Sequence, residues 1–224
     1  MHPNINPDWL PDRAIYRFDE ISPERTALLV IDMQVVFVEE GQIGAGPHAA
    51  SIIPNINRMA STLRDAGGLV AFTRHTVVDD GPRAMPVWQR EWPRRAPLIP
   101  LIREGAREHE IDSRLELDAR DVVVNKHRYS ALTHDSSDLN TILSDRGIES
   151  VIISGVVSNG CCESTARDAS MLGYWTYYLE DANAAISDEE HTAAITSLST
   201  IFADVRSTDS MIGHIADHAV TRQR

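Results

Sequence analysis

Short apolar runs that end on polar residues recur along this chain, and stretches with helical spacing separate them. Residues 27–31 (ALLVI) run into Asp32 and read as a buried strand. Residues 52–66 carry Ile53, Ile56, Met59, Ala60 and Leu63 at helical spacing, and Gly67-Gly68 stops them. A second strand begins at 69–72, and a third lies at 121–125 (DVVVN). A helix at 137–145 with Gly147 as its cap leads to a fourth strand at 150–154 (SVIIS), closed by Gly155. A helix at 163–172 before Gly173, a strand at 174–179, a helix at 188–198, a sixth strand at 201–205 and a last helix at 207–215 complete the series. Strands alternating with helices form βαβ units, and the lack of polar alternation within the strands predicts a parallel sheet covered on both faces. Such sheets bind ligands beyond the carboxyl ends of their strands. Asp32, Lys126 and the turn 155–161 all fall at such ends.

Composition narrows the class further. A chain of 224 residues with 42% hydrophobic and 24% charged residues suits one globular α/β domain and argues against disorder. Its apolar runs are far shorter than the ~20 residues a membrane helix needs. A net charge of −12 opposes binding to nucleic acid phosphates. The first 25 residues, rich in Pro, Asn and Asp, read as an irregular arm; their acidic residues, Asp8, Asp12, Asp19 and Glu20, do not suit a secretory signal. Residues 26–224 form the domain. Within it, about 76–120 lacks a clear period, holds several prolines with Trp88 and Trp92, and reads as a lid-like insertion. The two tryptophans suit either a binding wall or a satellite packing cluster. Cys161 and Cys162 are adjacent, so a stabilising disulfide between them is not expected, and free thiols suit a cytoplasmic setting.

Three residue types then point to chemistry. Cys161 falls where a strand and short polar turn feed a helix, a place where free N–H groups and the helix dipole favour a thiolate and can hold an oxyanion. An inert buried thiol is the competing reading, and it is the one that suits Cys162. Asp32 ends a buried strand, where a carboxylate is costly unless it caps a helix, is paired, or works as a base. Lys126 also ends an apolar strand; it reads as a solvated rim residue or as a cation that stabilises a thiolate and an oxyanion. His75 and His127 read as packing or rim histidines.

The stretches 27–37 (ALLVIDMQVVF), 125–132 (NKHRYSAL) and 155–169 (GVVSNGCCESTARDA), with 204–209 (DVRSTD) near the end, resemble the signature segments of the isochorismatase-like cysteine hydrolases. The resemblance runs in order over about 26–215. It implies a three-layer α/β/α sandwich whose six parallel strands lie in the order 3-2-1-4-5-6. It implies an Asp–Lys–Cys triad of Asp32, Lys126 and Cys161, a cis peptide at 156–157, and an oxyanion hole from the N–H groups of Val157 and Cys161. The cysteine argues for amide rather than vinyl ether cleavage. No Asp-x-His follows strand two, where the stretch reads TRHTVVDD, so neither a metal nor another cofactor is expected.

The implied reaction is attack of the Cys161 thiolate on a small carboxamide or ureido carbonyl, with release of ammonia and a thioester that water cleaves. The general pattern resembles the N-carbamoyl and ureido amidohydrolase branch. Gln34, Phe37, Trp88, Trp92 and Tyr129 are candidate pocket walls. Arg128 suits either a substrate carboxylate or an outward surface role. Relatives of this kind form homodimers or homotetramers. A non-amide hydrolase and a non-catalytic ligand binder on the same fold stay open; a dithiol redox role is disfavoured by the missing Cys-x-x-Cys spacing. One spatial demand follows from the strand order: Lys126 must reach past an intervening strand, roughly 10 Å from strand one.

Overall fold

A computed structural model describes residues 17–221; residues 1–16, most of the irregular arm, and 222–224 lie outside the described residues. The strands are β1 (Thr26–Ile31), β2 (Leu69–His75), β3 (Val122–Lys126), β4 (Ser150–Val156), β5 (Trp175–Ala184) and β6 (Asp204–Arg206). They form one six-stranded sheet in the order β3-β2-β1-β4-β5-β6, with every pair parallel. Seven α-helices accompany them among the described residues: α1 (Val35–Val38), α2 (Ile53–Asp65), α3 (Val87–Glu91), α4 (Leu139–Asp145), α5 (Glu163–Met171), α6 (Asp188–Ile201) and α7 (Thr208–Thr221).

The strand side chains explain the layers. Along β1, Leu28 and Val30 pack with Ile56, Met59 and Leu63 of α2 and with Met211 and Ile215 of α7. Ala27, Leu29 and Ile31 point the other way, into a core shared with Leu143 of α4, Ala166 of α5 and Leu198 of α6. Both sets are buried, which is why β1 has no polar alternation. Each such aliphatic side chain contributes about 1.5–3 kcal/mol by leaving water. Strand order reverses between β1 and β4, so the ends of these two strands flank the switch point where α/β sheets place ligands.

Gly155 allows β4 to lie there. Its φ is +115°, and an added Cβ would stand 2.1 Å from the Ile31 carbonyl oxygen. A Gly155→Ala chain should lose about 3 kcal/mol or more, which lowers Tm by roughly 6–12 °C. An unchanged calorimetric Tm would contradict this account of the β1–β4 contact.

The last strand differs from expectation. The apolar stretch at 201–205 suggested a strand, but α6 continues to Ile201 because Ala194, Ile195 and Leu198 give it a buried stripe. Ser187 caps its start by accepting from the Glu190 N–H. Strand β6 is the more polar Asp204–Arg206. It is buried through pairing: Arg206 Nη2 lies 2.9 Å from Asp204 Oδ2, which also accepts from the Phe18 N–H at 3.0 Å. Two further boundaries move outward, with β2 running on to His75 and β5 to Ala184.

Candidate active site

Asp32 leaves β1 with φ +51°, a left-handed conformation uncommon outside glycine. Thr73 of β2 holds it on two sides: its Oγ1 donates to Asp32 Oδ1 at 2.7 Å and accepts the Asp32 N–H at 3.1 Å. The carboxylate is buried, and Oδ2 lies 2.7 Å from Lys126 Nζ. That approach is a buried ion pair. Replacing Thr73 by Val keeps the strand shape and removes both hydrogen bonds. We expect a loss of about 1–3 kcal/mol in urea unfolding and a roughly ten- to hundredfold fall in kcat with a smaller change in KM. A normal kcat would remove Thr73 from the positioning of Asp32.

Lys126 ends β3 and is fully buried. The reach demanded by the strand order is met by its long side chain, which passes the end of β2 to Asp32. Burial opposes its ammonium form, yet Asp32 and then Cys161 hold its pKa above the usual lysine range. Its Nζ faces Asp32 Oδ2, the Arg128 carbonyl at 2.9 Å, Cys161 Sγ at 3.4 Å and His75 Nδ1 at 3.2 Å. An ammonium has three N–H groups for these four atoms. The state of His75 decides between them. Burial, then the charges of Lys126 and Arg95, push its pKa well below the usual imidazole range, so the ring is neutral. Arg95 Nη2, which can only donate, lies 3.0 Å from Nε2. Donor counting therefore puts the ring N–H on Nδ1, facing the Arg128 carbonyl. The three Lys126 hydrogens remain for Asp32, Arg128 and Cys161.

Cys161 lies in the turn that joins β4 to α5. It belongs to a π-helical turn, Ser158–Cys162, that precedes α5. The Gly160 and Cys162 N–H groups both donate to the Val157 carbonyl, at 3.0 and 3.2 Å. The Val156–Val157 peptide is cis. Ser158 Oγ lies 2.7 Å from His191 Nδ1, which ties the turn to α6. Cys161 keeps some accessible surface, whereas Cys162 is buried among the α4–α6 side chains. Burial raises the Cys161 pKa to about 12; Lys126 lowers it and Asp32 raises it again. The resting group is thus a thiol, and a thiolate requires a base.

The other candidate residues divide. Gln34 is buried, and its amide is spent on backbone: Nε2 donates to the His75 and His109 carbonyls, and Oε1 accepts the His75 N–H. Phe37 packs beside Val36 and Leu98 of the 76–120 segment. Trp88 and Trp92 are exposed, with ring centroids 5.8 Å apart. Tyr129 stacks parallel to His75 at 6.5 Å. Arg128 is committed elsewhere, donating to the carbonyls of Pro82, Arg83, Ala84 and His127. His75 lies beside Lys126 rather than on the rim, and His127 Nδ1 donates to the Thr76 carbonyl at 2.9 Å. Thr73, Arg95 and the Ser158–His191 pair join the site without having been singled out in the sequence. Among the described residues, no group of three or more His, Cys, Asp or Glu side chains is arranged to hold a metal ion.

The sheet order and this edge of the sheet define a family. Residues 26–210 match the isochorismatase domain model, and the chain belongs to the isochorismatase family. It is 31% identical over 222 residues to ureidoacrylate amidohydrolase RutB of Pseudomonas savastanoi pv. phaseolicola, covering 91% of this chain and 90% of the relative. A crystal structure of a cysteine hydrolase from Pseudomonas syringae pv. phaseolicola superposes with a TM-score of 0.82 at 29% identity, covering 91% of this chain and 98% of that one. N-carbamoylsarcosine amidase from Thermoplasma acidophilum superposes at 0.67 with 26% identity, over 82% and 96%.

Proposed function

We propose that this chain is an amidohydrolase that cleaves the C–N bond of a small amide or ureido compound through Cys161. The observation that carries the reading is the placement of Lys126 Nζ 2.7 Å from Asp32 Oδ2 and 3.4 Å from Cys161 Sγ, beside the switch point of the sheet. The names of its relatives, ureidoacrylate amidohydrolase and N-carbamoylsarcosine amidase, support the same bond type.

In this reading Asp32 takes the Cys161 proton, because a thiol with a pKa of about 12 does not ionise unaided at neutral pH. Sulfur attacks the carbonyl carbon, and the N–H groups of Val157 and Cys161, with the Lys126 ammonium, hold the oxyanion. Asp32 returns the proton to the departing nitrogen as the C–N bond breaks, which releases ammonia and leaves a thioester. Asp32 then deprotonates water for attack on that thioester, and the sulfur regains a proton. The 76–120 segment serves as the lid, with Trp88, Trp92 and Tyr129 towards its rim and Phe37 packed against it. An ammonia-release screen over small amides, ureido acids, nicotinamide and biuret tests the reading. Release from a ureido acid or a simple amide is expected; no release from any of them contradicts it.

A further inference from the structure

Arg95 stands two side chains away from Cys161, with its charge uncommitted. It belongs to the 76–120 segment, in the turn after α3, and is partly exposed. Three other arginines of that segment meet acids: Arg90 and Arg103 share Asp79, and Arg107 meets Glu39. Arg95 has no acidic partner among the described residues, in a chain of net charge −12. It is nevertheless held in place. Its guanidinium lies 4.7 Å from the centroid of the Tyr129 ring, and Nη2 lies 3.0 Å from His75 Nε2. Tyr129 in turn stacks on His75, and His75 contacts Lys126, so two side chains lie between the Arg95 fork and the Cys161 sulfur.

These contacts do not use all of the guanidinium. Its plane covers a ring and one nitrogen donates to His75, which leaves further N–H donors of the planar fork available. A pre-oriented, unpaired fork suits a carboxylate, which it can bind in bidentate fashion. From these observations we infer that Arg95 is the specificity-determining residue for substrates that carry a carboxylate at the end remote from the scissile amide. The inference rests on the proposed amidohydrolase reading. It also reassigns the anion contact from Arg128, whose donors are spent on carbonyls, to Arg95. The substrate class is then a monoanionic ureido or amide acid rather than a neutral amide.

Two measurements separate this inference from the reading beneath it. The first is calorimetric binding of 3-ureidopropanoate and its methyl ester to the Cys161→Ala chain, which needs no turnover. The second is kcat/KM for ammonia release from both compounds by the unmodified chain and by Arg95→Leu and Arg95→Lys. We expect the acid to bind better than the ester and Arg95→Leu to erase that preference, losing about 30- to 100-fold more in kcat/KM on the acid than on the ester, mainly through KM. Arg95→Lys should recover part of the loss, as a point charge without the fork. Selective binding of the acid with no ammonia release would leave Arg95 standing and remove the hydrolase. Equal binding of acid and ester, binding of neither, or a preference that survives in Arg95→Leu would overturn the inference.

Discussion

Cys161→Ala is expected to lower ammonia release by about 10⁴-fold or more while its fold persists. The sulfur is the only atom of the site that can form the thioester, since Cys162 is buried in the core behind it. Removing one partly exposed sulfur should change stability by about 1 kcal/mol or less. The pH dependence supplies a second readout. A thiol whose pKa rises on folding favours the folded state as long as it stays protonated. Its contribution is complete below the ordinary value of 9.0 and is lost as pH climbs towards about 12. The parent chain should therefore lose Tm faster than Cys161→Ala above pH 9, and the two should run parallel below it. Residual turnover within tenfold of the parent would eliminate the covalent route, and parallel curves across the whole range would eliminate the raised pKa of the thiol.

Lys126→Met should be both inactive and unstable. The methionine fills similar volume but leaves the Asp32 carboxylate buried without its cation. Removing one member of a buried pair costs about 3–5 kcal/mol, which is roughly 6–20 °C in Tm for a domain this size. In the proposed mechanism activity should fall by about 10³-fold or more, because the oxyanion would lose its cation and Asp32 its position. Lys126→Arg would keep the charge without rescue. A planar guanidinium cannot point its donors at a carboxylate, a carbonyl and a sulfur arranged around one nitrogen. A Lys126→Met chain with parental stability would mean that the buried pair does not hold this edge of the sheet.

The parallel sheet was legible because strands buried on both faces leave uninterrupted apolar runs, as in 27–31 and 150–154. Polar residues placed directly after such runs mark the ligand-binding edge, which is how Asp32 and Lys126 stood out. Strand β6 escaped that logic. Its Asp204 and Arg206 are buried by mutual pairing, a relation with no periodic signature, while the apolar residue Ile201 belongs to the end of a helix. Thr73 was hidden because its partner lies 41 positions away, and nothing local distinguishes it from other strand threonines. His75 looked ordinary for the same reason; its neighbours Lys126, Arg95 and Tyr129 come from different segments. Gln34 sits two residues after Asp32 and suggested a pocket wall, yet its buried amide clasps backbone at His75 and His109. Periodicity reports which side of an element is buried; it does not report what a buried polar group meets there.

The decisive measurement is mass spectrometry of the chain acid-quenched at successive times during turnover of a ureido acid. A peptide bearing residue 161 that gains the mass of substrate less ammonia, and only in chains that retain the sulfur, is the predicted result. Steady ammonia release with that peptide unmodified at every quench time would contradict it.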